Sequence, residues 1–408
     1  MASSASVPEP APHGGVLRVG VVAGEPSGDA LGAGLIEALA HRVPGVQCFG
    51  IAGPRMIAAG CEPWYRAEEL SVMGLAEVLQ HLPRLVRLRA DLLRRLRGAR
   101  PDVFVGIDSP DFNLPVEAAL RRTGTPTVQY VSPQVWAWRQ SRVAAVRRAA
   151  DLVLCLLPFE TAFYERHGVN ARFVGHPLAD EVPPETDKTD ARAALGVPAT
   201  GPYLGILPGS RHSEVSRLAR PFMETARWLC TARPDLGILV GLANEDIRAA
   251  FLQRVRDVKL DTAPRLFTGR AREVMGAADV VLTASGTASL ETLLTKRPMV
   301  VAYIISGITH QLLRLLGLNR LDHFSLPNLL AGRPVVPEFL QGDVRAEVLG
   351  PALAGYLDAG DGQGGVDGWY DAFGTIHQQL RRSASAGAAD AVLELLGNET
   401  RRNPCSNA

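Results

Sequence analysis

The sequence predicts an α/β protein made of two doubly wound parallel sheets. Three observations carry that expectation. Apolar runs of strand length alternate with helix-length patterns along most of the 408 residues, as in parallel sheets covered by helices. Several runs are continuously apolar rather than alternating, which suits strands buried on both faces. A polar, aperiodic stretch at 179–202 holds Pro183-Pro184 and a Pro-Ala-Thr-Gly-Pro series, and it divides the pattern into two halves.

The first half, 16–185, opens with a short β-branched strand at 16–22 that ends at Ala23-Gly24. A helical pattern follows at 31–40, and a leucine stripe at 79–96 predicts a second, longer helix. Residues 103–107 (VFVGI), 127–131 and 152–156 read as further strands. In the second half, 200–365, strands are expected at 204–207, 237–240, 280–283 and 299–303, with helices at 215–230 and 288–294. The Gly- and Asp-rich stretch 358–368 reads as a surface loop. A helical segment follows at 369–397. Residues 398–408 read as a frayed tail and 1–15 as a disordered extension.

Composition narrows the function classes. The chain carries 43 basic and 42 acidic residues, a formal net charge of +1. That balance lacks the global positive field of a non-specific nucleic-acid binder. No apolar run approaches the roughly 18–20 residues that span a bilayer. The first fifteen residues hold no apolar segment typical of a secretory signal. The five cysteines are scattered, with no Cys-x-x-Cys pair and no Cys/His metal spacing, so a cytoplasmic setting with no metal is expected.

Four strand-to-helix loops can carry chemistry. The first, AGEPSGDALG at 23–32, places Gly24 and Gly28 where the backbone can approach a ligand, and Ser27 or Asp29 can cap the next helix. It is neither a dinucleotide fingerprint nor a phosphate loop of the Gly-Lys-Ser/Thr type. The second, VGIDSPDFN at 105–113, puts Asp108 just past an apolar strand, where such folds place a general base, with Asp111 three residues on. The third, LPGSRHSEV at 207–215, offers the amides of Gly209 and Ser210 and the guanidinium of Arg211 to a phosphate or diphosphate. The fourth, TASGTASLE at 283–291, offers Ser285, Gly286 and Thr287, with Glu291 one turn into the helix. On local features each loop is equally well an ordinary capped turn. Trp136, in YVSPQVWAWR at 130–139, can line a pocket or simply pack. Asn328, in SLPNLL at 325–330, can bond a ligand or cap a helix.

One local charge imbalance stands out against the neutral average. Residues 81–100 hold Arg84, Arg87, Arg89, Arg94, Arg95, Arg97 and Arg100 against Asp91 alone, a formal +6. With the leucine stripe they form a basic amphipathic helix. Its leucines suit a core, and its arginines suit an anionic membrane surface.

These motifs together resemble the lipid-A-disaccharide synthase family of Gram-negative bacteria. The resemblance rests on AGEPSGDALGAGL (23–35), AGPRMIAAGC (52–61), LSVMGLAEVL (70–79), PDVFVGIDSPDFN (101–113), YVSPQVWAWRQ (130–140), FVGHP (173–177), LPGSR (207–211), ASGTASLE (284–291) and LPNLLAG (326–332). They run in order over nearly the whole chain. The resemblance implies the GT-B architecture, two Rossmann-like domains facing a cleft, with the C-terminal helix returning to the first domain. It implies an inverting transfer from UDP-2,3-diacylglucosamine to 2,3-diacylglucosamine 1-phosphate in lipid A biosynthesis, without a metal or other cofactor. Asp108 falls on the family's essential aspartate and becomes the expected base. Gly209, Ser210, Arg211, Ser285, Gly286, Thr287, Glu291 and Asn328 fall on the donor side. Gly24, Ser27, Gly28, Asp111 and Trp136 fall on the acceptor side. It also implies a peripheral association with the cytoplasmic face of the inner membrane, and it is compatible with a homodimer. One departure is the loop 304–307, which lacks the basic residues the family often carries there. The competing expectation is a UDP-N-acetylglucosamine 2-epimerase-like isomerase of the same fold.

Overall fold

The computed structural model describes residues 15–71, 78–133, 142–305, 323–359 and 368–402. The chain forms two compact units: Met1–Asp180 with Leu380–Ala408, and Glu181–Gln379.

In the first unit, strands β1 (Leu17–Ala23), β2 (Val46–Ala52), β3 (Cys61–Arg66), β4 (Val103–Ile107), β5 (Thr127–Tyr130), β6 (Leu152–Cys155) and β7 (Ala171–Phe173) form one parallel sheet. Their order is β3-β2-β1-β4-β5-β6-β7. Helices α1 (Pro26–Ala40), α2 (Pro54–Ala58), α3 (Glu68–Ser71), α4 (Val78–Ala99) and α5 (Pro110–Arg121) lie among these strands in sequence. The period of two along β1 sorts the core. Val19, Val21 and Ala23 pack with Leu35 and Leu39 of α1 and with Ala388 and Val392 near the C-terminus. Val22 faces the other way, with Phe49, Phe104, Leu92 and Leu96. Leu92 and Leu96 are 0% exposed, so each contributes on the order of 1.5–3 kcal/mol of burial.

In the second unit, β8 (Tyr203–Leu207), β9 (Gly237–Leu242), β10 (Arg265–Thr268), β11 (Val280–Ala284), β12 (Met299–Tyr303) and β13 (Glu338–Leu340) form a parallel sheet of order β10-β9-β8-β11-β12-β13. Two parallel α/β sheets confirm the expected fold class. The strands the sequence pattern missed are short or sit toward an edge. β3 carries Pro63 and is half solvated, which only an edge strand tolerates. β13 has three residues.

Three boundaries differ from the sequence reading. The stretch 179–202 holds the division between the units, at Asp180/Glu181, but is not aperiodic throughout. It contains the helix Lys188–Leu195, capped by Asp187, whose carboxylate accepts from Thr189 N at 2.6 Å, and closed by Gly196. Buried Arg192 in that helix reaches Asp279 at 2.8 Å and the carbonyls of Ala277 and Ala199 at 3.0 and 2.6 Å. A polar segment has thus found its partners in the second unit, which begins at Glu181. The helical segment 369–397 is divided as well. Trp369–Leu380 lies almost wholly in the second unit, and the helix Ala384–Arg402 packs on α1 in the first. The break falls where Ser383 takes φ 55° and the Asp180 carboxylate accepts from the amides of Ser383 and Ala384 at 2.8 and 2.7 Å. That carboxylate starts a new helix by capping it. Finally, this helix runs to Arg402, so 398–402 is helical rather than tail. Residues 1–14, 403–408 and most of the 358–368 loop lie outside the described residues.

Candidate functional site

Each sheet reverses its strand order once: between β1 and β4 in the first unit, and between β8 and β11 in the second. Crossovers leave on opposite faces there, which opens a crevice at the carboxyl ends of the two strands, where parallel sheets bind ligands. The four loops singled out in the sequence follow β1, β4, β8 and β11. Ala23 registers with Ile107 and Leu207 with Thr283. The loops therefore stand in two adjacent pairs, one per unit.

In the first unit, Asp108 and Ser109 both take left-handed backbone conformations, with φ 52° and 41°. For residues with a Cβ this costs on the order of 1–2 kcal/mol each. The strained turn lifts the Asp108 side chain off the strand end. It is half-buried, and its carboxylate has no hydrogen-bond partner among the described residues. Gly24 is buried beside it, and a Cβ at that position would stand 2.9 Å from Ser109 Oγ, so the first loop must be glycine to lie against the second. Ser27 is exposed in the first turn of α1, and Gly28 is buried against Ile107. Asp111 is exposed, and Arg142 Nη1 donates to it at 2.9 Å. Trp136 lies outside the described residues.

Neither expected cap of α1 is one. Glu25 is the N-cap residue, without a side-chain bond. Asp29 instead serves α2. Its buried carboxylate accepts from Arg55 N at 2.9 Å and Met56 N at 3.0 Å.

In the second unit, Arg211 precedes the helix His212–Ala232, and its guanidinium is exposed. The Ser210 amide that the sequence reading offers to a phosphate is engaged, and so is the Arg211 amide. Glu214 Oε2 accepts from both, at 3.1 and 3.3 Å. A free carboxylate takes the position an anion would take, because a helix N-terminus favours any negative group. Across β11, Gly286 adopts φ 133° ahead of the helix Thr287–Leu294, a conformation only glycine enters freely. Ser289 donates through N and Oγ to the Gly286 carbonyl, at 3.1 and 2.7 Å, which fixes the turn. Ser285 Oγ donates to the Phe324 carbonyl at 3.2 Å. Burial pushes the Glu291 carboxyl up, opposed by Arg272, whose Nε lies 3.9 Å away.

Asn328 is not a helix cap, since Ser325 precedes the helix Leu326–Ala331. Buried, its Oδ1 accepts from Val335 N at 2.7 Å and Val336 N at 2.9 Å, and its Nδ2 donates to the Val336 carbonyl at 2.9 Å. These bonds hold a turn and leave one Nδ2 hydrogen unused among them.

One residue the sequence reading passed over is Arg217. Six residues past Arg211 on the same helix, it donates to the Ile304 carbonyl at 3.5 Å. Both guanidinia lie near enough to Tyr303 to oppose the upward push that burial and Glu214 give its hydroxyl. The loop after β12 lacks its own basic residue, yet Arg217 brings one to it from another element. Only the fold reveals this, because 217 and 304 are remote in sequence.

Of the basic stretch, α4 buries Leu88, Leu92 and Leu96. Arg84 pairs with Glu69, while Arg94 and Arg95 share Asp91. Arg87, Arg89, Arg97 and Arg100 have no ion-pair partner among the described residues. Among those residues no helix is long and apolar enough to cross a membrane.

Known proteins of related sequence and structure agree with this architecture. The family model described as lipid-A-disaccharide synthetase matches residues 19–392. The lipid-A-disaccharide synthase of Xanthomonas euvesicatoria pv. vesicatoria is 48% identical over 392 residues, covering 96% of this chain and 88% of its own. That of Escherichia coli is 49% identical over 379 residues, covering 93% and 98%. Among solved structures, a putative UDP-N-acetylglucosamine 2-epimerase from Listeria monocytogenes superposes with TM-score 0.59 at 13% identity, covering 96% and 98% of the two chains. The calicheamicin glycosyltransferase CalG4 superposes with TM-score 0.52 at 17% identity, covering 94% and 98%. At such identities these two report a shared GT-B-like fold and nothing finer. With the matched model spanning both sheets and all four switch-point loops, the chain belongs to the lipid-A-disaccharide synthase family, glycosyltransferases of lipid A biosynthesis.

Proposed function

We propose that the chain transfers the diacylglucosaminyl group of UDP-2,3-diacylglucosamine to the 6-hydroxyl of 2,3-diacylglucosamine 1-phosphate, with Asp108 as the general base. The observation that carries this reading is the half-buried Asp108 carboxylate, without a hydrogen-bond partner among the described residues, on a strained turn at the first switch point. Asp108 takes the hydroxyl proton as the oxygen forms its bond to the anomeric carbon. The bond from that carbon to the UDP oxygen breaks on the opposite face, which inverts the centre. Charge then develops on the leaving diphosphate. The groups offered to that charge are the Arg211 and Arg217 guanidinia and the Ser285–Gly286–Thr287 turn at a helix start. Glu291 is a hydroxyl acceptor for the nucleotide sugar. Gly24, Ser27 and Gly28 border the acceptor side, and Asp111, tied to Arg142, is more distant support.

An assay with both acylated substrates, comparing wild type with Asp108→Asn, tests the assignment. Turnover is expected to fall by at least about a hundredfold, with UDP binding retained. Activity within a few-fold of wild type removes Asp108 from the mechanism. Donor incubated alone is expected to stay unchanged, whereas a 2-epimer product supports the isomerase reading instead.

Both substrates are acylated and the acceptor carries a phosphate, so they reside in a membrane leaflet. Arg87, Arg89, Arg97 and Arg100, without an ion-pair partner among the described residues, support a peripheral association with an anionic cytoplasmic leaflet, at about 1 kcal/mol per basic residue.

A further inference from the structure

Behind the Asp108 turn lies a group of buried polar side chains that the reaction scheme does not use. Asn113 and Glu117 sit one turn apart on α5, and Gln129 lies on β5. All three are 0% exposed. Gln129 registers with Gly106 of β4, so its side chain leaves the sheet on the face where a Gly106 side chain would. That vacant position is filled by the other two. A Cβ on Gly106 would stand 2.3 Å from Glu117 Oε1 and 2.8 Å from Asn113 Cβ. The three side chains therefore converge over one glycine, directly under the turn.

The two amides spend their donors on the turn. Asn113 Nδ2 donates to the Asp108 carbonyl at 2.9 Å and to the Ile107 carbonyl at 3.3 Å. Gln129 Nε2 donates to the Asp108 carbonyl at 3.2 Å and to the Val131 carbonyl at 3.2 Å. Val131 is also left-handed, at φ 78°, an outlier for a β-branched residue. A single glutamine amide thus ties together the strained exits of β4 and β5. Only the NH2 side of an amide suits a carbonyl oxygen, so the opposite oxygen of each amide must face the cluster.

There the accounting leaves a gap. Asn113 Oδ1, Gln129 Oε1 and both Glu117 oxygens are buried without a hydrogen-bond partner among the described residues. Acceptor oxygens facing one another repel, and a buried carboxylate with no donor is costly. Protonation of Glu117 relieves the most costly part of this, because the neutral acid carries no charge and supplies one O–H donor, to its neighbour one turn away. Burial pushes the Glu117 carboxyl well up, in the direction this requires.

We propose that Asn113, Gln129 and Glu117 form a buried scaffold of positioning residues, in which the Glu117 O–H fixes the Asn113 amide and the two amides hold the Asp108 turn in its left-handed form. This rests on Asp108 being the base, and it adds how that base is held. None of the three touches substrate. Their effect should appear in the catalytic step rather than in binding.

The test pairs kinetics with hydrogen–deuterium exchange of the full-length protein. Glu117→Gln keeps a donor, so kcat is expected to stay within about threefold of wild type. Glu117→Met removes it. We expect kcat to fall on the order of 30–100-fold, as for a misplaced catalytic group. KM for both substrates should hold within about threefold, and exchange over 104–114 should become faster. Glu117→Met with unchanged kcat overturns the proposal, as does Glu117→Gln losing as much as Glu117→Met. Should Glu117→Met fail to fold, Gln129→Met is expected to accelerate exchange at both Asp108 and Val131, and unchanged exchange there overturns the scaffold. Asp108→Asn separates the two readings. It is expected to abolish turnover while leaving exchange over 104–114 at the wild-type rate. An active Asp108→Asn with faster exchange in Glu117→Met would retire the base assignment and keep the scaffold's hold on the turn.

Discussion

Asp29 lies inside the first switch-point loop motif, yet its bonds assign it to stability rather than to chemistry. Its carboxylate is 4% exposed. It accepts from the Arg55 and Met56 amides, the first two donors of α2 after Pro54. Hydrogen bonds to a charged group are worth about 1.5–3 kcal/mol each. Met56 is 0% exposed, so its amide gains no water when the carboxylate goes. Asp29→Ala is therefore expected to destabilise the first unit by about 3–5 kcal/mol, allowing for partial relaxation at Arg55. For a unit of this size that lowers Tm by roughly 6–15 °C. Gly53→Ala should reproduce the defect, because its Cβ would stand 2.4 Å from the Asp29 carboxylate carbon. Scanning calorimetry measures the shift, and UDP affinity by titration calorimetry is expected to stay within about twofold, since the loops proposed to meet the nucleotide are in the other unit. A Tm within 2 °C of wild type, or a loss of kcat without loss of stability, would refute this reasoning.

Three further expectations concern charge. Arg217→Met should weaken UDP binding by about 1.5–3 kcal/mol. The combined loss with Arg211→Met should be less than additive if both guanidinia meet one diphosphate, and an unchanged UDP affinity removes Arg217 from the site. Glu117 has a folded-state proton affinity above its unfolded one, so the native state keeps a proton that the unfolded chain releases, and wild-type stability falls as pH rises past the ordinary carboxylate range. Glu117→Gln lacks that loss. Its stability relative to wild type should climb by up to about 1.4 kcal/mol per pH unit once the pH exceeds the ordinary carboxylate range, and a flat difference in denaturant melts would exclude a protonated Glu117. Replacing Arg87, Arg89, Arg97 and Arg100 by Gln should weaken binding to anionic vesicles by up to about 4 kcal/mol, reduced by added salt, and vesicle binding indifferent to salt and to these changes would exclude the basic helix as the contact.

Much of the fold was legible because it rests on short-range pattern. Continuous apolar runs such as Val103–Ile107 mark strands buried on both faces, and glycine-bearing loops after them mark helix starts. Of the strands that escaped notice, β3 and β13 lie at sheet edges, where one face or one edge meets water and the apolar signal fades. The C-terminal break was illegible for a different reason. Ser383 leaves the helix because Asp180, some two hundred residues earlier, is there to cap the next one.

The sequence by itself determined the α/β class, the two halves, the four loops and the family, since each depends on residue order alone. Only the tertiary structure decided what the polar side chains in those loops do. Asp29, Asn328 and Glu214 each turn to a backbone amide that folding leaves without a partner. Asp108 is left with none among the described residues, and Arg217 reaches a strand end that chain order places far from it. Strand order decides which loops meet, and the need to satisfy every buried donor and acceptor decides which side chains remain open to a substrate.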